Sequence, residues 1–81
     1  MKITFDPDID YAELFFKSVP NYGVSLNEDV VQFRSDEDDS VVGYGFESAS
    51  QTVMESDLIS FDTKHEFLKI LNKGGWNVKL S

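Results

Sequence analysis

VVQFRSDEDDSVVGYGFE, residues 30–47, decides how the chain folds. Val31 and Phe33 alternate with Val30, Gln32 and Arg34, and Val42, Tyr44 and Phe46 alternate with Val41, Gly43, Gly45 and Glu47. A period of two is that of half-buried strands, so the spacing predicts two strands with Val31, Phe33, Val42, Tyr44 and Phe46 on one apolar face. Between them stand Asp36, Glu37, Asp38 and Asp39, whose carboxylates bond to nearby backbone and favour a turn. Gly43 and Gly45 fall on the opposite face. They weaken the strand unless a helix, a neighbouring aromatic ring or a second copy of the chain uses the space they leave.

Upstream, residues 1–5 alternate Ile3 and Phe5 against Lys2 and Thr4, and Asp6-Pro7-Asp8 closes a first turn. Residues 11–17 form a second strand with Ala12, Leu14 and Phe16 inward and Tyr11, Glu13, Phe15 and Lys17 opposite. Residues 18–23 have loop composition, and residues 24–26 are a short strand before a turn at residues 27–29. Because successive short strands tend to lie side by side, the expected order is an antiparallel meander.

The character changes after Glu47. Residues 51–61 supply apolar positions without a clean period and serve as a connector with at most a turn of helix. DTKHEFLKILNK, residues 62–73, has an Asp N-cap, the apolar positions Phe67, Leu68 and Leu71, and a glycine stop at Gly74-Gly75. The helix is expected over residues 63–72, followed by a strand or docked tail through Trp76, Val78 and Leu80. The predicted architecture is a single α+β domain: a small twisted antiparallel meander of four to five strands over residues 1–50, with one C-terminal helix packed on one face.

Composition narrows the function. The chain has 81 residues, and a chain of this size buries only about 60–65% of its unfolded surface, so self-association would add usefully to stability. Fifteen Asp and Glu against seven Lys and Arg give a net charge of −8. The first 50 residues hold 11 acids and 3 bases, whereas residues 51–81 hold 4 of each. Phosphate backbones and anionic membranes repel such a surface, so neither nucleic acid nor membrane is the expected partner, and a basic protein is. There is no cysteine, hence no thiolate ligand or nucleophile. No apolar run reaches the length of a signal peptide core or a membrane span, and a cytoplasmic location is expected.

Chemistry is sparse. Asp6, Asp8 and Asp10, with Glu13 nearby, are spaced as oxygen ligands of a hard cation could be, but Tyr11 and Lys17 stand where a calcium-binding EF-hand loop requires glycine and glutamate. Turn formation accounts for these acids more simply. His65, the one histidine, lies in the first turn of the expected helix beside Glu66, the usual setting of a surface residue. A metal-assisted hydrolase built from the Asp6, Asp8, Asp10 and Glu13 acids with His65 is the alternative to a non-enzymatic protein. No G-x-S-x-G elbow or phosphate-binding glycine loop is present, and no cofactor is expected.

Two stretches taken together resemble a known family. Lys2-Ile3-Thr4-Phe5-Asp6-Pro7 continuing to Asp10-Tyr11-Ala12-Glu13-Leu14, and later Asp36-Glu37-Asp38, Val41-Val42-Gly43 and Glu47-Ser48-Ala49-Ser50, look like the prokaryotic domain-of-unknown-function family 2283. The resemblance covers about residues 1–50. Asp39 stands where that family usually has a glycine in its acidic turn, and Gly45 where its last strand usually carries a bulky or charged residue. The resemblance implies a small antiparallel sheet and no assigned activity. The expectation is therefore an interaction or regulatory module, antitoxin-like in role, that self-associates or binds a basic partner through Tyr11, Phe15, Val30, Val41, Gly43 and Gly45.

Overall fold

A computed structural model describes residues 1–74. Five strands, β1 (Lys2–Asp6), β2 (Tyr11–Phe15), β3 (Asn21–Ser25), β4 (Val30–Ser35) and β5 (Val41–Glu47), precede α1 (Ala49–Glu55) and α2 (Phe61–Lys73). Every paired neighbour is antiparallel, and the sheet order is β1-β2-β5-β4-β3. The α+β class is as expected. The meander is not, because β2 pairs with β5 and β3 lies at the far edge.

The pairing follows from burial. Ala12 and Leu14 lie opposite Phe46 and Tyr44, joining the most apolar alternate positions of the two hairpins. Residues 16–20 must then cross the ends of β5 and β4 to reach β3. Three strand spacings are about 14 Å, within reach of five extended residues. The crossing is tied down where Phe16 N–H donates to the Val42 carbonyl at 2.7 Å and Asp36 N–H to the Pro20 carbonyl at 3.0 Å.

Register corrects the expected faces. Val30 lies opposite Phe46 and Gln32 opposite Tyr44, whereas Val31 and Phe33 lie opposite Gly45 and Gly43. Val31 and Phe33 therefore point away from Val42, Tyr44 and Phe46. Each strand shows its own period of two, but the length of the turn between them, and here an irregularity between Phe33 and Arg34, fixes which sets share a face. The acidic turn accommodates this with Asp39 at φ 59, the left-handed conformation that suits glycine, and its N–H reaches the Ser35 carbonyl at 3.0 Å.

The core cluster joins Ala12, Leu14, Val30, Tyr44 and Phe46 of the sheet to Ala49 and Val53 of α1, Ile59, and Phe67 and Leu71 of α2. Ile3 and Phe5 pack against it, with the Phe5 and Phe67 rings edge to face at 5.5 Å. Burying each such Leu or Phe contributes roughly 1.5–3 kcal/mol. The sheet side of this cluster is called the Leu14 face below, and the opposite side the Phe15 face.

The helices differ from expectation. There are two, not one, and the segment expected as a connector forms α1. Helix α2 begins two residues earlier than expected, with Ser60 rather than Asp62 as its cap, the Ser60 hydroxyl accepting from Thr63 N–H at 3.2 Å. It runs to Lys73 before Gly74, where the glycine stop belongs. The seven residues of α1 are too few to persist alone. They begin after Ser48, itself left-handed at φ 51, and the donors at the helix start go to Asp10. The early strand β3 starts at Asn21, where a loop was expected, because its backbone pairs with β4 from Ser35 to Val31. Trp76, Val78 and Leu80, expected as a last strand or docked tail, lie outside the described residues.

Candidate interaction surface

Pairing register arranges the Phe15 face in rows across the sheet. One row runs Lys2, Phe15, Gly43, Phe33, Gly23, and the next Thr4, Glu13, Gly45, Val31, Ser25. Bulky residues and glycines alternate between neighbouring strands. Phe15 and Phe33, two strands apart, stack across Gly43 with ring centroids 4.9 Å apart and planes at 25°. A Cβ at Gly43 would lie 2.5 Å from the Leu14 carbonyl oxygen and 2.8 Å from Phe15 Cδ1. At Gly45 it would meet the Tyr11 hydroxyl, and Phe33 Cε2 at 3.2 Å. At Gly23 it would meet Val31 Cγ1 at 3.0 Å. The room that the glycines leave is thus used by rings from adjacent strands.

These side chains remain outside the core cluster and are half-buried. Beside the rings, the Tyr11 hydroxyl donates to Glu13 Oε2 at 3.0 Å. Burial and that bond to a carboxylate push the Tyr11 hydroxyl up to about 12, with Glu47 adding to the shift. Asp6 lies opposite Tyr11 on one side and Glu47 on the other, so acids border the apolar stripe at this end.

Of the residues expected at an interface, Val41 pairs with Arg34 beyond the irregularity and takes the side of Gln32, whereas Tyr11, Phe15, Gly43 and Gly45 share this face. Val30 does not. It is 8% exposed and belongs to the core, opposite Phe46, as the register requires. Val31 and Phe33 are the members the sequence reading missed. The signal for them was the glycine pattern itself, since a strand with two glycines on one face needs large neighbours on the flanking strands.

Two of the three aspartates, Asp6 and Asp10, have separate structural tasks for their carboxylates. Asp6 Oδ1 accepts from Asp8 N–H at 3.0 Å and closes the first turn. Asp10, left-handed at φ 51, takes the Ala49 N–H on its carbonyl at 2.8 Å. Its carboxylate accepts from Ser50 N–H at 2.8 Å and the Ser50 hydroxyl at 2.6 Å, capping α1 from 40 positions away. His65 lies exposed on α2, its ring stacked with Phe61 at 6.2 Å. Among the described residues no three Asp, Glu or His side chains are placed to hold a metal ion. In the acidic turn, Ser40 hydroxyl and backbone hydrogen bonds hold the Asp38 carboxyl below the usual carboxylate range.

No helix among the described residues is long and apolar enough to cross a membrane. No family model matches the chain, and neither does any curated protein or any solved structure.

Proposed function

We propose that the protein is a non-enzymatic interaction module that uses the Phe15 face of its sheet to engage a cationic protein, masking it as an antitoxin masks its toxin. One observation carries this reading: an apolar stripe of Phe15, Phe33 and Val31 stands outside the core cluster and is bordered by Asp6, Glu13 and Glu47. A net charge of −8 speeds encounter with a basic surface, and the stripe supplies area that association removes from water. Both helices act here as cover for the Leu14 face only, supported by Phe67 and Leu71 clustering with Leu14 and Phe46. Self-association is the second reading, favoured by the half-exposed stripe and by the commonness of symmetric pairs. Opposing it, a face-to-face pair brings two copies of the acidic border together.

Family 2283 remains the family we propose for residues 1–50. The support is that the two quoted stretches meet, Asp10 of the first holding Ala49 and Ser50 of the second. The sequence pattern then serves the fold and names no chemistry.

A photo-crosslinking side chain at Val31, with the exposed Leu58 between the helices as the control, tests the interaction reading in native cells, since Val31 stands in the stripe and Leu58 does not. Adducts to a basic protein from Val31 alone, weakening steeply with salt on recovery, are expected. Adducts only to a second copy would replace the first reading by the second. Equal adducts from Val31 and Leu58, or none from Val31, would remove both.

A further inference from the structure

The crossing segment that the sheet order demands leaves a groove of about 450 Å³ where the start of β1 and the end of β2 meet residues 16–20. Its walls include the apolar Met1, Phe15, Phe16 and Val19 with the polar Asn21, and its charged side chains are Lys2 and Lys17. Among the described residues no carboxylate lines it, although acids outnumber bases by 15 to 7 in the chain. The groove therefore inverts the charge of the molecule locally. Phe16 is 47% exposed and meets Tyr44 edge to face at 6.0 Å, so one wall is a fixed aromatic edge open to solvent. The loop itself is held, with Asn21 Nδ2 donating to the Val19 carbonyl at 2.8 Å and Phe16 N–H donating to the Val42 carbonyl.

We propose that this groove binds a small organic carboxylate with an apolar body, the carboxylate between the Lys2 and Lys17 ammonium groups and the body against Phe15, Phe16 and Val19. The volume lies in the range of small-molecule sites, which combine apolar walls with a few polar groups that set orientation. Two exposed ammonium groups alone hold an anion weakly, and the net charge of the whole chain opposes its approach. Affinity thus depends on the charge and the apolar body together. Asp38 of the acidic turn feels the charge of Lys17 and competes for it.

Sodium decanoate below its micelle concentration is the probe, decanol its uncharged counterpart and acetate its truncated one, each titrated into the full chain while backbone and ring resonances are followed. Decanoate is expected to give saturable shifts at Phe15, Phe16 and Val19, with neither decanol nor acetate matching it. The Lys2→Gln/Lys17→Gln double variant, whose substitutions are at exposed positions, should bind about tenfold more weakly, and Asp38→Asn more tightly. Equal binding of decanoate and decanol, unchanged binding by the double variant, shifts centred instead on a second groove that Ile3 of β1 and Ile70 of α2 line, or no saturable shift at millimolar decanoate would each overturn the proposal.

Discussion

The two faces of the sheet solve the same problem by opposite means. On the Leu14 face, side chains from three strands meet residues of two helices, and Leu14, Phe46, Phe67 and Leu71 lose all contact with solvent. On the Phe15 face, burial comes from within the sheet: rings lean across glycines of neighbouring strands and stop at half coverage. The first arrangement yields stability. The second yields a smoother surface on which apolar area and carboxylates remain available to another molecule.

Replacing the same residue type on each face gives the widest separation. Phe46→Ala should cost about 3–5 kcal/mol, because a fully buried ring leaves a cavity between sheet and helices. A chemical denaturation midpoint lowered by less than that of a Phe15-face variant would reverse the assignment of the core. Gly43→Ala should cost roughly 2–3 kcal/mol through overpacking, since the new methyl meets the Leu14 carbonyl oxygen as well as the Phe15 ring. A neutral or stabilising result would mean that the rings do not close over β5. Phe33→Ala should cost only about 1–2 kcal/mol, as its ring is half-buried and the space opens to water. Its larger effect is expected on partner binding, measured by the salt-dependent crosslinking yield from Val31.

The smallest effect is confined to alkaline pH. Tyr11 is raised from 10.0 to about 12, chiefly by burial and then by its bond to Glu13. The neutral phenol is thus favoured in the folded chain. Its contribution is fully present below pH 10 and is lost as pH rises from 10 to 12. Tyr11→Phe should flatten that part of the stability curve in thermal melts, leaving the smaller share from Tyr22, which its bond to Asp39 also raises. An unchanged alkaline limb would show that Tyr11 is not packed against Glu13.

Much of this was readable from residues alone, and the rest has definite physical reasons for being hidden. Alternation located every strand except the start of β3, where Asn21, Tyr22 and Gly23 resemble a loop and only backbone pairing with Ser35, Arg34 and Phe33 makes them a strand. Alternation cannot choose a face across a turn, so Val31 and Phe33 were joined to the wrong side and Val30 to the surface. Sheet order is a choice among long-range pairings, and the match of Ala12 with Phe46 is visible only once register is known. The capping task of Asp10 spans 40 positions. Asp10, Asp39 and Ser48 adopt left-handed backbone without being glycine, so no residue type announces those bends. The Lys2 and Lys17 groove depends on the crossing segment and was invisible for the same reason as the sheet order.

The inequality of the two faces is tested most directly by the relaxation that a soluble, uncharged nitroxide induces in the aromatic protons of the dilute native chain. Ring protons of Phe15 and Phe33 should relax strongly while those of Phe46 and Phe67 stay protected. Equal protection of all four rings at a concentration where the chain is monomeric would contradict an exposed Phe15 face, and the interaction surface with it.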